Sequence, residues 1–197
     1  LVCDEVYSAM TYGQQHVSLR ASADALDNTI MVDGLSKSHA MSGWRVGWAV
    51  APRELVPHLA RFTGATMFGC CQFIQDASAF ALRTDMDHVE RMRREYQGRR
   101  DYVVERINAM PGLRCQSPDA GMFVMVNVAD LGLDGDEVAR RLLDRALVTV
   151  VPGSAFGPSA RDYLRVTLCQ PEELLAEALD RIEALLTRTP AAAPVSR

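Results

Sequence analysis

The amino-acid sequence predicts an α/β protein in which the end of a buried, largely parallel sheet is followed by a smaller α+β domain. Three short apolar runs rich in β-branched residues come first, each bounded by turn-forming residues, as is typical of buried strands. A long, charge-rich helical segment follows at residues 85–110, and a new series of strands and helices begins after it. This change of pattern places a domain boundary near residue 85.

The three early runs are interpreted as strands. The opening LVCDEVY is predicted to be a strand that ends near Asp4, and a polar, turn-rich stretch from Tyr12 to Asn28 follows it. TIMVDGLSK is predicted to be a second buried strand bounded by Gly34, and RVGWAVAP a third strand closed by Pro52. Because a sheet that starts at such a strand lacks its beginning, the chain is expected to be truncated at its N-terminus.

Three helices are predicted after these strands. Arg53 to about Thr63 has helical spacing, with Pro57 in its first turns, where proline is tolerated. Gln72–Leu82 is predicted to be an apolar helix, and Pro111 with the glycine after it ends the long charged helix. The apolar residues of the long helix recur at roughly helical spacing, namely Met86, Val89, Met92, Tyr96, Val103 and Ile107.

The C-terminal part is predicted to be a small α+β domain. Its strands are AGMFVMVNV, LVTVVPG and YLRVTLC, its helices cover residues 134–146 and 171–186, and the last segment, TPAAAPVSR, is predicted to be disordered. The predicted organisation is thus a portion of a larger domain at 1–85, a connecting helix at 86–110, the small domain at 111–188 and a disordered tail at 189–197.

Composition and charge argue against several classes of protein. The 197 residues are 48% hydrophobic and carry a formal net charge of −4, as expected of an ordered globular protein. The basic residues are scattered, which argues against a nucleic-acid partner, and no apolar run reaches the length of a membrane span. Five cysteines without metal-type spacing indicate reduced thiols, and the absence of a signal peptide leads us to expect a cytoplasmic protein.

Lys37 is the one lysine among 21 basic residues, so the other 20 are arginines. Arginine and lysine are interchangeable wherever only a positive charge is needed, but guanidinium cannot lose its proton in a protein. A sequence that keeps a single lysine therefore indicates a position where a primary amine is required, and Lys37 follows the second predicted strand.

Four further polar residues lie where the predicted strands end or begin. Asp4 and Tyr7 flank the exit of the first strand, Arg45 precedes the third, and Arg165 interrupts the apolar strand YLRVTLC. Sites in α/β sheets are usually built at such strand ends. Each residue alone also has an ordinary structural interpretation: a solvated strand end for Asp4, packing for Tyr7, a cation–π pair with Trp44 for Arg45 and an edge-strand position for Arg165.

Taken together, these segments resemble a known family. DEVY, followed by GLSKSHAMSGWRVGW and later by YLRVTL, resembles the class I and II aminotransferases of fold type I, which use pyridoxal 5'-phosphate (PLP), and the resemblance extends from Leu1 to about Leu186. It implies the C-terminal part of a PLP-dependent transferase fold, with the end of the large sheet domain followed by the small domain. It also implies a homodimer in the full-length protein, in which the loop at Met67–Cys71 reaches the neighbouring subunit's site.

By position, the resemblance assigns roles to five residues. Lys37 is implied to hold PLP as a Schiff base and to move the proton in a ping-pong transamination between an amino acid and a keto acid. Asp4 is implied to pair with the pyridine nitrogen, and Tyr7 to hydrogen-bond the ring 3-oxygen. Arg45 is implied to hold the phosphate and Arg165 the substrate α-carboxylate.

Other positions near these residues are also informative. Phe123, in AGMFVMV, matches a position that lies near the substrate in the family. Many relatives have a phosphate-binding serine three residues before the lysine, whereas this chain has Gly34, as some bacterial members do. Ser36 is not expected to replace that serine, and His39 is expected to be a packing residue beside the site rather than a second base.

Within the family, GLSKSHAMSGWRVGW, QFIQDA, AGMFVMV and SAFGPSA most resemble bacterial arginine–pyruvate transaminases. This resemblance implies L-arginine as the amino donor and pyruvate as the acceptor. Two alternatives stay open at this point. One is a C–S lyase of the same fold, which needs no keto acid, and the other is the aminotransferase-like, ligand-sensing domain of a transcriptional regulator.

Overall fold

The computed structural model describes residues 1–21, 27–84 and 87–188. The predicted disordered tail at 189–197 lies outside the described residues. The chain divides into two compact units. Unit 1 comprises Leu1–Arg93 with Asp119–Gly121, and unit 2 comprises Arg94–Pro118 with the chain from Met122 onward.

Unit 1 contains a three-stranded sheet in the order β1-β2-β3. The strands are β1 (Val2–Asp4), β2 (Ile30–Gly34) and β3 (Gly47–Val50), which lie where the three apolar runs predicted them. β1 and β2 are parallel, whereas β3 is antiparallel to β2.

The connection from β2 to β3 is compact because two glycines face each other across it. It contains one helical turn, α1 (Leu35–Ser38), and a 3₁₀ turn at Ser42–Trp44. Gly34 pairs with Gly47, and a Cβ atom on Gly34 would lie 2.9 Å from the backbone oxygen of Val46. A side chain at residue 34 therefore requires the backbone to move apart.

The remaining helices of unit 1 are α2 (Val56–Met67), α3 (Gln72–Arg83) and the first part of α4 (Asp87–Asn108). α2 begins three residues later than predicted, and Pro57 occupies its first turn. α3 and α4 lie where the apolar spacing predicted helices. Several large apolar side chains of α2, α3 and the loop between them are exposed in this chain, namely Val56, Phe62, Met67, Phe68, Phe73, Phe80 and Leu82.

Unit 2 contains a four-stranded antiparallel sheet in the order β4-β5-β7-β6. Its strands are β4 (Arg114–Cys115), β5 (Phe123–Asn127), β6 (Val151–Pro152) and β7 (Tyr163–Thr167). β5 and β7 were predicted, whereas most of the strand predicted at LVTVVPG is not formed. The preceding helix continues as a π-type turn, Leu147 adopts a left-handed conformation (φ 55°) and the Val148 N–H donates to Leu142, so the chain here completes a helix end.

The helices of unit 2 cover one face of this sheet. α5 (Gly135–Arg141) begins where Asp134 accepts a hydrogen bond from the Glu137 backbone N–H at 2.9 Å, and α6 (Glu172–Arg188) closes the domain. Side chains from α4, α5, α6 and the sheet surround one small apolar space, among them Ile107, Val126, Val138, Leu164 and Ile182. This arrangement leaves the opposite face of the sheet available for polar residues.

No helix in the described ranges is both long and apolar enough to cross a membrane. Within the same ranges, no group of three or more histidine, cysteine or acidic residues is placed to hold a metal ion.

Candidate active site

The carboxyl ends of β1 and β2 lie side by side and bring two predicted site residues to one edge of the sheet. Asp4 ends β1 and pairs in register with Val32 of β2. Two residues further along β2, the chain passes Gly34 and enters α1, whose last turn carries Lys37. Because parallel strands end at the same edge, the sheet places the Asp4 carboxylate and the segment bearing Lys37 at that edge.

The Asp4 carboxylate is oriented by the turn that follows β1. One carboxylate oxygen accepts a hydrogen bond from the Val6 backbone N–H at 3.1 Å, as in an Asx turn. The Tyr7 backbone carbonyl accepts from the Met10 N–H at 2.8 Å, and the Tyr7 side chain is half-buried. These backbone contacts fold the chain back at the strand exit and hold Asp4 and Tyr7 on the same turn.

The amine of Lys37 has no hydrogen bond or ion pair to any described residue, although the side chain is half-buried. Many arginines of this chain behave differently and pair with carboxylates, as Arg93 does with Glu90 at 2.7 Å. No described residue thus occupies the amine, and its role as a nucleophile or base stays a prediction.

Arg45 connects the 3₁₀ turn to β3 in an unusual backbone conformation. Its φ of 54° and ψ of 43° lie in the left-handed region, which is uncommon for residues other than glycine. The guanidinium is exposed and donates a hydrogen bond to the Ser42 carbonyl at 2.9 Å. The remaining N–H groups are free to hold an anion such as a phosphate.

Glu5, His16 and Ser18 form a second group of residues next to the end of β1, and the sequence did not predict this group. The Glu5 side chain is only 8% exposed, and one of its oxygens lies 3.2 Å from His16 Nε2. Its other oxygen accepts a hydrogen bond from the Ser18 hydroxyl at 2.9 Å, and its backbone N–H donates to Val32 at 2.8 Å. Glu5 therefore anchors the following loop next to Asp4.

The carboxyl groups of Glu5 and Asp33 have shifted pKa values. Burial by itself raises the pKa of Glu5, but the hydrogen bonds from Ser18 and His16 and the charge of His16 outweigh it and lower the pKa below 4.5. Burial also raises the pKa of Asp33, and the nearby charges of Glu5 and Asp4 add to this, against a hydrogen bond from the Gly34 N–H. The Glu5 anchor therefore stabilises the fold in its ionised form.

Replacing Glu5 by glutamine is expected to reduce stability at neutral pH by about 1–2 kcal/mol, because the His16 contact loses its charge. A carboxyl with a lowered pKa in the folded state stabilises above its unfolded pKa, and this contribution is lost as the pH falls through the folded pKa. The gap in thermal midpoint between wild type and Glu5→Gln should therefore be widest at about pH 5–6, where a carboxylate and a histidine both carry charge, and close below about pH 4. The exposed Glu54→Gln serves as the control, and a gap that does not depend on pH would contradict this account.

His39 lies beside the lysine in the sequence and contacts Ser38 and a second histidine. Its Nδ1 lies 2.8 Å from the Ser38 hydroxyl, and its ring packs edge-on against His88 with ring centroids 5.2 Å apart. Burial and then the proximity of His88 lower its pKa, although the Ala81 backbone opposes the shift. This environment favours the neutral imidazole, as expected of a packing residue.

The other predicted substrate residues lie in unit 2. Arg165 is on β7, opposite Met125 of β5, so its side chain and that of Phe123 project from the same face of the sheet. The guanidinium carbon lies 5.3 Å from the Phe123 ring centroid and 4.9 Å from that of Phe156. Phe156 was not anticipated, because a single aromatic residue in a loop follows no periodicity.

Arg165 also differs from its neighbours in having no acidic partner among the described residues. Among the described residues of unit 2, eight other arginines pair with carboxylates, namely Arg99, Arg100, Arg106, Arg114, Arg140, Arg141, Arg161 and Arg181. The N–H groups of Arg165 are thus available for an external carboxylate.

Comparison with known proteins gives a consistent picture. The family model "Aminotransferase class I and II" matches residues 1–182. Arginine–pyruvate transaminase AruH of Pseudomonas aeruginosa is 45% identical over 182 residues, which cover 92% of this chain and 46% of that protein. Aromatic-amino-acid aminotransferase 2 of Thermococcus litoralis is 38% identical over 189 residues, with coverages of 94% and 48%.

Solved structures show the same relationship. The aromatic aminotransferase from Pyrococcus horikoshii matches with a TM-score of 0.92 and 35% identity, over 95% of this chain and 51% of that one. The aspartate aminotransferase from Rhizobium meliloti matches with a TM-score of 0.88 and 32% identity, over 95% and 49%. The chain thus spans about half the length of the relatives it matches, and its architecture is that of the C-terminal part of the PLP-dependent transferase fold. It belongs to the class I and II aminotransferases, a PLP-dependent family.

Proposed function

We propose that the protein is a PLP-dependent aminotransferase that moves an amino group from an L-amino acid to a keto acid. The observation that carries this proposal is the amine of Lys37, the single lysine, which has no partner in the described ranges and lies at the sheet edge where Asp4 ends β1. The family match supports it, since the named relatives are aminotransferases.

The residues of the chain fit the chemistry of PLP. The cofactor needs an amine for its aldehyde, a carboxylate for its pyridine nitrogen, a donor for its ring oxygen and a cation for its phosphate. Lys37, Asp4, Tyr7 and Arg45 supply one group of each kind, all in unit 1. Gly34 leaves no space for the serine that many relatives use, so backbone donors and Arg45 are proposed to hold the phosphate.

Each residue is proposed to perform one task. Bound PLP supplies an electron sink for the carbanion left when the substrate loses its α-proton. Lys37 would hold the cofactor through its amine and, once freed by the amino donor, would accept the substrate α-proton and return it as a general base and acid. The Asp4 carboxylate would hold a proton on the pyridine nitrogen, and Tyr7 would hydrogen-bond the ring oxygen.

Recognition of the substrate is assigned to unit 2. The Arg165 fork is proposed to bind the α-carboxylate through two parallel hydrogen bonds, with Phe123 next to the substrate. The same contacts serve the incoming keto acid, which also carries a carboxylate. Release of the first product before the second substrate binds gives ping-pong kinetics.

L-arginine is the proposed donor and pyruvate the proposed acceptor. The 45% identity to arginine–pyruvate transaminase AruH supports this choice. A C–S lyase or a ligand-sensing regulatory domain is less well supported, because the named relatives are aminotransferases.

A donor panel tests the proposal with the full-length product of the gene, loaded with PLP. L-arginine, L-aspartate and L-phenylalanine are each offered with pyruvate, and alanine formation is measured. Alanine should form fastest from L-arginine, with kcat/KM at least about tenfold above the other donors. A faster reaction with another donor would refute arginine as the substrate, and product formation without any keto acid would refute transamination.

A homodimer in the cytoplasm is also proposed. The loop at Met67–Cys71 has a Phe68 side chain that is 95% exposed, with Met67 also exposed beside it, as suits a surface covered by a second subunit. All five cysteines are free, which suits a reducing compartment.

A further inference from the structure

The sheet of unit 2 has two faces of different character. Val124, Val126 and Leu164 are buried on the face that the helices cover. The residues that alternate with them, Phe123 and Arg165, are half-buried on the other face. This second face presents a cation and an aromatic ring side by side, and a second aromatic ring reaches the same cation from a loop.

The loop that brings the second ring is fixed by close backbone packing. Val151 of β6 pairs with Arg165 itself, and the chain then makes a 3₁₀ turn at Gly153–Phe156. A Cβ atom on Gly153 would clash with the Ala160 carbonyl oxygen and lie 2.8 Å from that of Tyr163, so the turn closes only with glycine at this position. The backbone is therefore tightly packed at Gly153, the first residue of the turn.

A side-chain contact and a backbone bond hold the same turn further along. The Ser154 hydroxyl donates to the Asp136 carboxylate at 2.9 Å, and the Gly157 N–H donates to the Ser154 carbonyl at 3.1 Å. The first bond lies two residues before Phe156, and the second involves the residue directly after it. The ring is thus carried on a rigid loop, although it is 51% exposed.

An aromatic ring and an acid position a guanidinium in different ways. An aspartate or glutamate would occupy the N–H fork of Arg165 and compete with any incoming carboxylate. A ring attracts the cation through its π face and leaves the N–H donors free. The two rings at 5.3 and 4.9 Å from the guanidinium carbon thus restrict Arg165 without occupying its binding groups.

We propose that Phe156 is a positioning residue that holds the Arg165 guanidinium ready for the substrate α-carboxylate. The proposal rests on the proposed function for the identity of the carboxylate. The entropic cost of ordering the arginine side chain is then met on folding, before the substrate binds. Each carboxylate substrate therefore binds more tightly.

The first test reads the position of Arg165 without any activity. In ¹⁵N-labelled protein, the Arg165 Nε–H resonance is assigned by its loss in Arg165→Lys. Ring currents should displace it from the other arginine resonances, Phe156→Leu should return it towards them, and Phe156→Tyr should leave it displaced. A resonance that Phe156→Leu does not move would overturn the proposal.

The second test reads carboxylate binding. Propionate, a simple carboxylate, is titrated against the same resonance, and its Kd should rise about tenfold in Phe156→Leu and recover in Phe156→Tyr. Arg165→Lys lacks this resonance, so propionate binding to that background is measured by isothermal titration calorimetry. There, adding Phe156→Leu should change the Kd by less than about twofold, because the contact is already lost. An unchanged Kd in Phe156→Leu would show that the ring only packs and would overturn the proposal.

Kinetics separate this proposal from the proposed function. If the enzyme transaminates, Phe156→Leu should raise KM for both the amino acid and the keto acid more than it lowers kcat, and Phe156→Tyr should restore KM. If the protein fails to transaminate while propionate binding still depends on Phe156, the proposed function is wrong and Arg165 positioning stands. A KM that Phe156→Leu leaves unchanged in an active enzyme would overturn the positioning role.

Discussion

Replacing Lys37 by arginine is expected to lower kcat by at least about 10⁴-fold. The variant keeps the positive charge and most of the side-chain volume, but guanidinium can neither bond to an aldehyde carbon as an amine nor accept the α-proton. Lys37 is half-buried and has no partner among the described residues. The substitution therefore breaks no described hydrogen bond or ion pair, and the main change is the loss of the amine. The rate of single turnover with L-arginine measures the loss directly.

The single lysine allows an unusually clean control for this variant. Arg53 is exposed in unit 1, and Arg53→Lys introduces an amine away from the sheet edge. Arg53→Lys alone should retain full activity, whereas the double variant Lys37→Arg/Arg53→Lys should be as inactive as Lys37→Arg. Activity within tenfold of wild type in either variant that lacks Lys37 would contradict the assignment of the catalytic amine.

Replacing Asp4 by asparagine is expected to lower kcat by about 10²–10³-fold. The change keeps the shape of the side chain and its acceptor for the Val6 N–H, but it removes the negative charge that keeps the pyridine nitrogen protonated. Without that proton the ring accepts electrons less readily, so removal of the α-proton slows. The loss should fall on kcat and kcat/KM alike, with a primary isotope effect from α-deuterated donor.

Asp33→Asn provides the matched control for Asp4→Asn. Asp33 is one residue beyond the Val32 partner of Asp4, so its side chain projects from the opposite face of the sheet. Its pKa is raised by burial and by the charges of Glu5 and Asp4, so neutralising it should stabilise the fold at pH 7 and leave kcat within about threefold. Equal losses in the two variants would show that the charge of Asp4 has no specific role.

The positions of the predicted site residues follow from local sequence. Asp4 and Lys37 each follow an apolar run that ends at a turn, and such runs form strands whose ends are set by the first polar or glycine residue. The sole lysine needed no structure to be singled out, since its rarity is a property of the composition. For these residues, the position in the fold is encoded within a few neighbouring residues.

The residues that support the site depend on contacts between distant segments. Glu5 meets His16 and Ser18 across a polar loop, and no spacing rule distinguishes this buried carboxylate from a solvated one. Phe156 reaches Arg165 only because Gly153 lets the turn close against the backbone of Tyr163. Such pairs are fixed by packing and backbone register, which sequence patterns do not specify.

The strand predicted at LVTVVPG is confirmed only at Val151–Pro152, for a similar reason. Its β-branched residues favour a strand locally, but the left-handed Leu147 and the bond from Val148 to Leu142 commit this segment to ending a helix. Only Val151 and Pro152 remain to pair with β7. Tertiary context therefore overrode a local preference.

The central claim, that Lys37 is the amine that holds PLP, is tested most directly by trapping the bond. The full-length protein is loaded with PLP, reduced with borohydride, digested and analysed by mass spectrometry. The account predicts one phosphopyridoxyl adduct per chain, within the peptide that contains Lys37, and its absence in Lys37→Arg. An adduct confined to the N-terminal amine or to a lysine elsewhere in the full-length protein, with Lys37 unmodified, would contradict it.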